Sequence, residues 1–130
     1  MTPAILRERT KKFAIQVILL AKTLPTDPIT TRIAVLTDAA SSVAAHYRAV
    51  CRARSRADFI NKLGVTIGEA DESALWLEIL TETGMATRTA TQSLWNEADE
   101  LTRIAVRSRE TARHNRDLRE RHNPQSRTHQ

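Results

Sequence analysis

Arginine is the residue type whose number and spacing give this chain its clearest capacity for chemistry. Eight Arg and no Lys follow residue 102, and a second group of arginines lies at the end of the predicted second helix. A planar guanidinium can donate two parallel hydrogen bonds to one phosphate. We therefore predict a nucleic-acid-binding surface formed by Arg48, Arg52, Arg54, Arg56, Arg103, Arg107, Arg113 and Arg116.

Helix order predicts that some of these cations lie together. In an antiparallel bundle the second and fourth helices end on the same side, which would bring together Arg52, Arg54, Arg113 and Arg116. No aromatic residue interleaves with the arginines along the sequence, which argues against base stacking and sequence-specific reading of a single strand. The alternative is that these cations only complement helix dipoles and keep the surface solvated.

The acidic residues make a weaker case for chemistry. Glu69 and Glu72 are three residues apart on one predicted helix, so they share a face as paired metal ligands would. A di-iron bundle also needs Glu-x-x-His pairs, and the sequence contains none; His46 is the one histidine before residue 114. A hydrolase triad, a phosphate-cradling glycine loop and a zinc motif are absent from the sequence. We predict no enzyme, no catalytic residue, no metal site and no cofactor, and expect the acids to pair with arginines.

Charge is divided into blocks along the chain. Residues 1–54 carry a net charge of +6, residues 55–102 carry −6 and residues 103–130 carry +5. Such segregation favours an anionic partner, charge pairing between subunits, or both.

Start and stop signals divide the chain into four helices. The starts are indicated by Thr2-Pro3, Asp27-Pro28, Ser55 with Asp58, and Thr89 with Gln92; the ends are indicated by Pro25, Ala53 and Gly84. Short connections between long helices predict an all-α, antiparallel up-and-down four-helix bundle. We place the bundle at residues 1–114 and a basic, disordered tail at residues 115–130.

Each predicted helix has a seam of mostly apolar residues at alternating spacings of four and three. The seams are Leu6, Thr10, Phe13, Val17, Leu20 and Leu24; Ile29, Ile33, Leu36, Ala40, Val43, Tyr47 and Val50; Phe59, Leu63, Ile67, Ala70, Ala74 and Leu77; and Leu94, Ala98, Leu101 and Ala105, with Ile104 beside the last.

Some apolar residues exceed what one small bundle needs. Trp76, Leu77, Ile79 and Leu80 point in nearly every direction around their helix, and a helix that is apolar all round must be covered all round. We predict a homo-oligomer with Trp76, Ile79, Leu80 and Trp95 at its interface; packing in the core of a single chain is the alternative for these residues.

Cysteine and hydropathy indicate the compartment. The single Cys51 cannot form an internal disulfide and is expected to serve packing, and a reduced, cytoplasmic setting follows. No apolar run approaches the roughly 20 residues of a membrane span, so no membrane association is expected.

Three runs of sequence resemble a known family. These are AAHYRAVCRARSRADFINKL, EADESALWLEIL and LWNEADELTRIAVRS, within a match over about residues 5–110. They resemble the small four-helix-bundle proteins encoded in intervening sequences of bacterial large-subunit ribosomal RNA genes, a family that includes the accessory variability determinants of diversity-generating retroelements. Residues 44–50 lack the Pro, Glu and Gly of a run that many members carry; they resemble a branch with an Ala-Asn-Tyr-Arg-Ala pattern, with His46 replacing Asn.

The resemblance implies a homopentameric, barrel-like assembly with a basic surface. In the retroelement branch that assembly binds a reverse transcriptase and nucleic acid, whereas the role of the ribosomal branch is not established. The leading hypothesis is therefore a non-catalytic, oligomeric accessory protein that binds nucleic acid, with a reverse transcriptase as a further partner. The alternative is a protein–protein scaffold encoded in a ribosomal RNA intervening sequence.

Overall fold

The computed structural model describes residues 2–25 and 33–122, which form four α-helices. α1 spans Pro3–Ala21, α2 spans Ile33–Cys51, α3 spans Arg56–Glu82 and α4 spans Arg88–His122. No strand occurs in these two stretches. The predicted all-α class is confirmed, and the arrangement is consistent with a four-helix bundle.

Helices that are consecutive in the chain pack along one another, and α1 meets α4 over a smaller area. One ion pair joins these two outer helices: Arg9 Nε donates to Glu97 Oε2 at 3.0 Å. The hydrogen bond to Glu97 raises the pKa of Arg9, so the guanidinium stays charged. The pair therefore ties α1 to α4 and closes the bundle.

The core follows the predicted seams closely. Every seam residue of the described stretches belongs to the core or packs against it; Leu20, Phe59 and Ile67 are only half-buried. Ile29 and the side chain of Ile33 lie outside the described residues. The four-three spacing is thus a good guide to which side chains are removed from water.

Hydroxyl side chains fill gaps in the apolar seams. Thr10, Thr66 and Ser73 are buried, and each donates to the carbonyl oxygen four residues earlier, at 2.9, 3.0 and 2.9 Å. Thr81 and Thr91 share a hydrogen bond of 2.7 Å between α3 and α4. These bonds satisfy polar groups that would otherwise be costly to bury.

Two predicted helix starts and one predicted end are confirmed. Thr2 and Ser55 cap α1 and α3, and each side-chain oxygen accepts from the amide three residues later. The Asp58 carboxylate accepts from the Arg54 amide, one residue before the cap, so it assists the α3 start differently from a capping box. Gly84 follows α3 with φ of +75°, the left-handed conformation that favours glycine.

The predicted start of the fourth helix at Thr89 is wrong. α4 begins at Arg88, and the Thr87 hydroxyl accepts from the Ala90 amide at 3.2 Å. Burial of Ala86 fixes the chain just before this cap, which leaves Thr89 inside the first turn.

α4 also runs past the predicted end of the bundle. It continues to His122, so residues 115–122 are helical rather than disordered. Residues 88–122 include no glycine or proline and many arginines and glutamates, which favour helix. Residues 123–130 and the predicted Asp27-Pro28 start lie outside the described residues. None of the described helices has the length and apolar character that a membrane crossing requires.

Candidate nucleic-acid interface

A groove opens where α1 and α3 begin, α2 ends and the second half of α4 passes. Its volume is about 970 Å³. α1 contributes Arg7, α2 contributes Tyr47 and Cys51, and α3 with its cap Ser55 contributes Arg56 and Phe59. The residues from α4 are Glu100, Arg107, Ser108, Thr111, Asn115 and Arg119. All four helices thus build one concave surface.

The groove is strongly positive. Four arginines line it, namely Arg7, Arg56, Arg107 and Arg119, and Glu100 is the one acidic residue among the lining side chains. None of these arginines forms an ion pair within the described stretches. Their hydrogen-bonding capacity therefore remains available to an anion.

Helix dipoles do not explain the position of two of these cations. Arg56 is the first residue of α3, at the positive end of that helix dipole, and Arg7 lies in the second turn of α1, far from the negative end of its helix. A cation there gains nothing from its own helix, unlike one near a helix C-terminus. The dipole alternative therefore accounts for Arg119 in α4 but not for Arg7 or Arg56.

Aromatic side chains also line the groove, contrary to the expectation from sequence. Phe59 is half-buried and packs against the core, and Tyr47 is 9% exposed. The sequence assigned both residues to apolar seams, and it did not show that these seams run out into a basic groove. The premise of the argument against base stacking, that no aromatic residue accompanies the arginines, therefore does not hold for this groove.

Tyr47 and Cys51 are neighbours, one turn apart at the end of α2. Burial raises the pKa of Tyr47 to about 12, and the charge of Cys51 and a hydrogen bond with it act in the same direction. Cys51 is exposed, so the expectation that it serves packing is wrong. An accessible thiol therefore lies within the groove.

The eight arginines predicted from sequence are placed differently from one another. Arg56 and Arg107 line the groove. Arg103 pairs with Asp99 at 3.0 Å and Arg116 with Asp117 at 3.8 Å. Four others are exposed outside the groove: Arg48, Arg52, Arg54 and Arg113.

Helix geometry separates Arg113 from the groove. It follows Thr111 by two residues, so its side chain leaves the opposite side of α4. The predicted joint surface of Arg52, Arg54, Arg113 and Arg116 stays a prediction.

Sequence reasoning missed Arg7 and Arg119 as site residues. The helix order that places the ends of the second and fourth helices together also places the start of α1 there. This order was the signal in the sequence that could have identified Arg7 as a site residue. Arg107, Thr111, Asn115 and Arg119 follow one another at steps of four, so each lies beside the next in one row along α4.

A second cavity, of about 310 Å³, lies between the end of α3 and the start of α4. It contains Glu78, Glu82, Arg88 and Trp95, and the buried Nε1 of Trp95 has no partner among the described residues. Its mixed charge makes it a poor site for an anion. No group of side chains able to hold a metal ion occurs in the described stretches, where Glu69 is half-buried and Glu72 exposed.

The predicted interface residues have unequal exposure. Trp76, Ile79 and Trp95 are half-buried, so each keeps some surface for another chain. Leu80 is 4% exposed and belongs to the core, which accounts for it without a second chain.

Large apolar side chains are also exposed to solvent, and the most exposed of them belong to α1 and α3. Ile15, Ile18 and Leu19 of α1 are 48%, 42% and 54% exposed. Val65 and Leu75 of α3 are 49% and 52% exposed. We call the first group the α1 stripe. Exposed apolar patches of this kind mark surfaces that contact other molecules.

Fold and groove define a class: a small all-α protein of four helices with a basic groove at one end. The model of the 23S rRNA-intervening sequence protein family matches residues 4–107. The chain belongs to this family.

A crystal structure shows the same architecture. It is that of a protein of unknown function from the S23 ribosomal protein family of Bacteroides thetaiotaomicron, 28% identical, with a TM-score of 0.75. The alignment covers 85% of this chain and 99% of that one. No curated protein matches the chain.

Proposed function

We propose that this protein is a non-catalytic accessory protein that binds nucleic acid through the phosphate backbone, and that the groove is its binding site. The observation that carries the proposal is the set of four arginines in one groove with no ion-pair partner among the described residues. Four arginines and one glutamate give the lining of the groove a net charge of +3, which attracts a polyanion. Guanidinium groups also match the geometry of phosphate.

Two properties of the chain support this function. The sequence carries a formal net charge of +5, which favours association with polyanions. Arg56 occupies a position that its own helix dipole disfavours, and an anionic ligand gives a reason for it. A reverse transcriptase as a protein partner belongs to the same proposal and rests on the family resemblance.

A pair of double variants tests the proposal. Replacing Arg56 and Arg107 by Ala should lower the affinity for an RNA or DNA oligonucleotide and reduce the slope of log K against log salt by about 2, since each phosphate contact contributes about 1. The measurement is fluorescence anisotropy of a labelled oligonucleotide at several salt concentrations.

The matched control replaces Arg52 and Arg113 by Ala. This variant loses the same charge from exposed positions outside the groove, and it should keep the wild-type salt slope. Equal losses in both double variants would reject the groove as the site. A wild-type protein without salt-sensitive binding would reject the function.

We also propose that copies of the chain form a homo-oligomer, with five as the number that the family resemblance implies. The exposed α1 stripe supports self-association, because its three large aliphatic side chains expose apolar surface to water, and contact with another copy would bury that surface. The same surface supports the second candidate function, a protein–protein scaffold, in which the stripe holds a different protein.

A further inference from the structure

We propose that the groove takes a single strand of nucleic acid rather than a duplex, with one base packed against the ring of Phe59. This inference rests on the proposed function and adds the strandedness of the ligand. It comes from the juxtaposition of an accessible aromatic ring with unpaired arginines in one concave surface.

Phe59 has the properties of a stacking platform. It lies in the first turn of α3, and part of its ring rests on the core while the side chain also lines the groove. A ring held from behind loses little conformational entropy when a base packs on it. Tyr47 is buried more deeply than Phe59, so it lines the groove without offering a ring face on which a base could stack.

Side chains that could bind a phosphate and a ring that could stack on a base line the same groove. Arg56 precedes Phe59 by three residues on α3, so both side chains leave the same side of that helix. Arg107 faces the groove from α4. A nucleotide that enters the groove can therefore meet guanidinium groups with its phosphate and an aromatic face with its base, a combination typical of single-strand binding.

The size and polarity of the groove favour an unpaired strand. About 970 Å³ lies at the upper end of the range for small-ligand sites. In a duplex the base faces are stacked on one another and are closed to a ring inside a groove, whereas a single strand can present them. Thr111 and Asn115, one turn apart and exposed, add hydrogen-bonding groups for a sugar or a base edge.

Strand preference is the first test. The probes are labelled oligonucleotides: single strands of oligo-uridine and oligo-deoxythymidine, and a hairpin of equal phosphate number whose fully paired stem is closed by a non-nucleotide linker. We expect at least one single strand to bind about tenfold more tightly than the hairpin, because a tenfold ratio matches the binding free energy of one base–aromatic contact. The ratio between the two single strands reports the preference for RNA or DNA.

The Phe59→Leu variant isolates the ring. Leucine keeps the apolar contact with the core and removes the aromatic face, so single-strand affinity should fall about tenfold while hairpin affinity stays unchanged. Arg113→Ala, outside the groove, should leave the ratio of single-strand to hairpin affinity unchanged. A helical circular dichroism spectrum confirms that the Phe59→Leu protein is folded.

Cys51 supplies a readout in the unmodified protein. Its thiol is the only one in the chain, and it is exposed and lines the groove. A saturating single strand should slow alkylation of Cys51 several-fold, and the hairpin at the same fractional occupancy should not. This measurement tests the inference even if Phe59→Leu does not fold.

The outcomes separate the two proposals. Equal affinity for single strand and hairpin, with both weakened in the Arg56→Ala, Arg107→Ala double variant, would leave the proposed function in place and overturn the single-strand inference. Competition by polyglutamate as effective as by oligo-uridine would overturn it in favour of an acidic protein segment. Absence of binding to any oligonucleotide would overturn both proposals.

Discussion

Individual side chains explain why only some residues of the groove could be predicted from the sequence. Arg56 and Arg107 were identified by residue type and position, and both line it. Arg7 was overlooked because it lies far along the chain from the two arginine groups on which the prediction was based. Phe59 was assigned to the core, and it does pack there. Seam spacing predicts that a side chain is buried, but it does not predict which residues surround the part of that side chain that stays exposed. A residue that belongs to both the core and the groove therefore cannot be recognised from seam spacing alone.

Tyr47 offers a spectroscopic test at this scale, because it is the only tyrosine in the chain. Its pKa of about 12 lies above the usual 10.0, with burial as the main cause and Cys51 as the second. Since the folded-state pKa is raised, the stabilising contribution of Tyr47 is complete below pH 10 and is lost as the pH rises toward 12. Ultraviolet absorbance of tyrosinate should show this late titration.

The same titration of Tyr47 in a Cys51→Ser variant tests the contribution of Cys51. Removing the thiolate removes a charge that opposes ionisation of the phenol, so Tyr47 should titrate at lower pH than in the wild type. Titration of the native wild-type protein at the ordinary value of 10 would contradict both the burial of Tyr47 and its coupling to Cys51.

At the scale of the helices, periodicity was the reliable signal and termini were less so. Seams at four-three spacing predicted most of the core, and Thr2, Ser55 and Gly84 marked helix ends correctly. Thr87 and Thr89 are both suitable caps, two residues apart. Sequence could not distinguish them because both residues satisfy the preference for a cap; the structure shows Ala86 buried and Thr87, directly after it, as the cap.

The start of α4 can be tested with these two threonines. Thr87→Ala removes the oxygen that accepts from the Ala90 amide, and it should lower the free energy of unfolding by about 1 kcal/mol. Thr89→Ala, inside the helix, should leave stability equal to the wild type or slightly higher. Urea unfolding followed by circular dichroism compares the two. A larger loss for Thr89→Ala would return the cap to the position predicted from sequence.

At the scale of the whole molecule, exposure amends the prediction of which residues face another chain. The sequence singled out Trp76, Ile79, Leu80 and Trp95, whereas the α1 stripe is more exposed than Leu80 and lies on a different helix. Ile15, Ile18 and Leu19 lie off the four-three seam of the first helix. Their orientation to solvent follows only from the packing of α1 against α2 and α4.

Self-association is tested with a charge placed in the α1 stripe. The wild-type protein should have a solution mass several times 14.6 kDa by light scattering, with fivefold as the proposed multiple. Leu19→Lys should shift the mass toward that of one chain, because it places a charge in the contact. Ala45→Lys adds the same charge at an exposed position on α2, outside the stripe, and should not. A wild-type mass of 14.6 kDa at micromolar concentration would contradict the proposal.

The length of α4 has a consequence for how the groove is held together. The last core residue of α4 is Ala112, and the ten helical residues after it have no buried side chain. Turns with so little tertiary support open easily, and their amides exchange hydrogen with water sooner than those of the bundle. Arg119 projects from this stretch into the groove. An anion that holds Arg119 also holds the turns beneath it, so occupancy and helicity are thermodynamically linked, and slower amide exchange at the end of α4 would accompany binding.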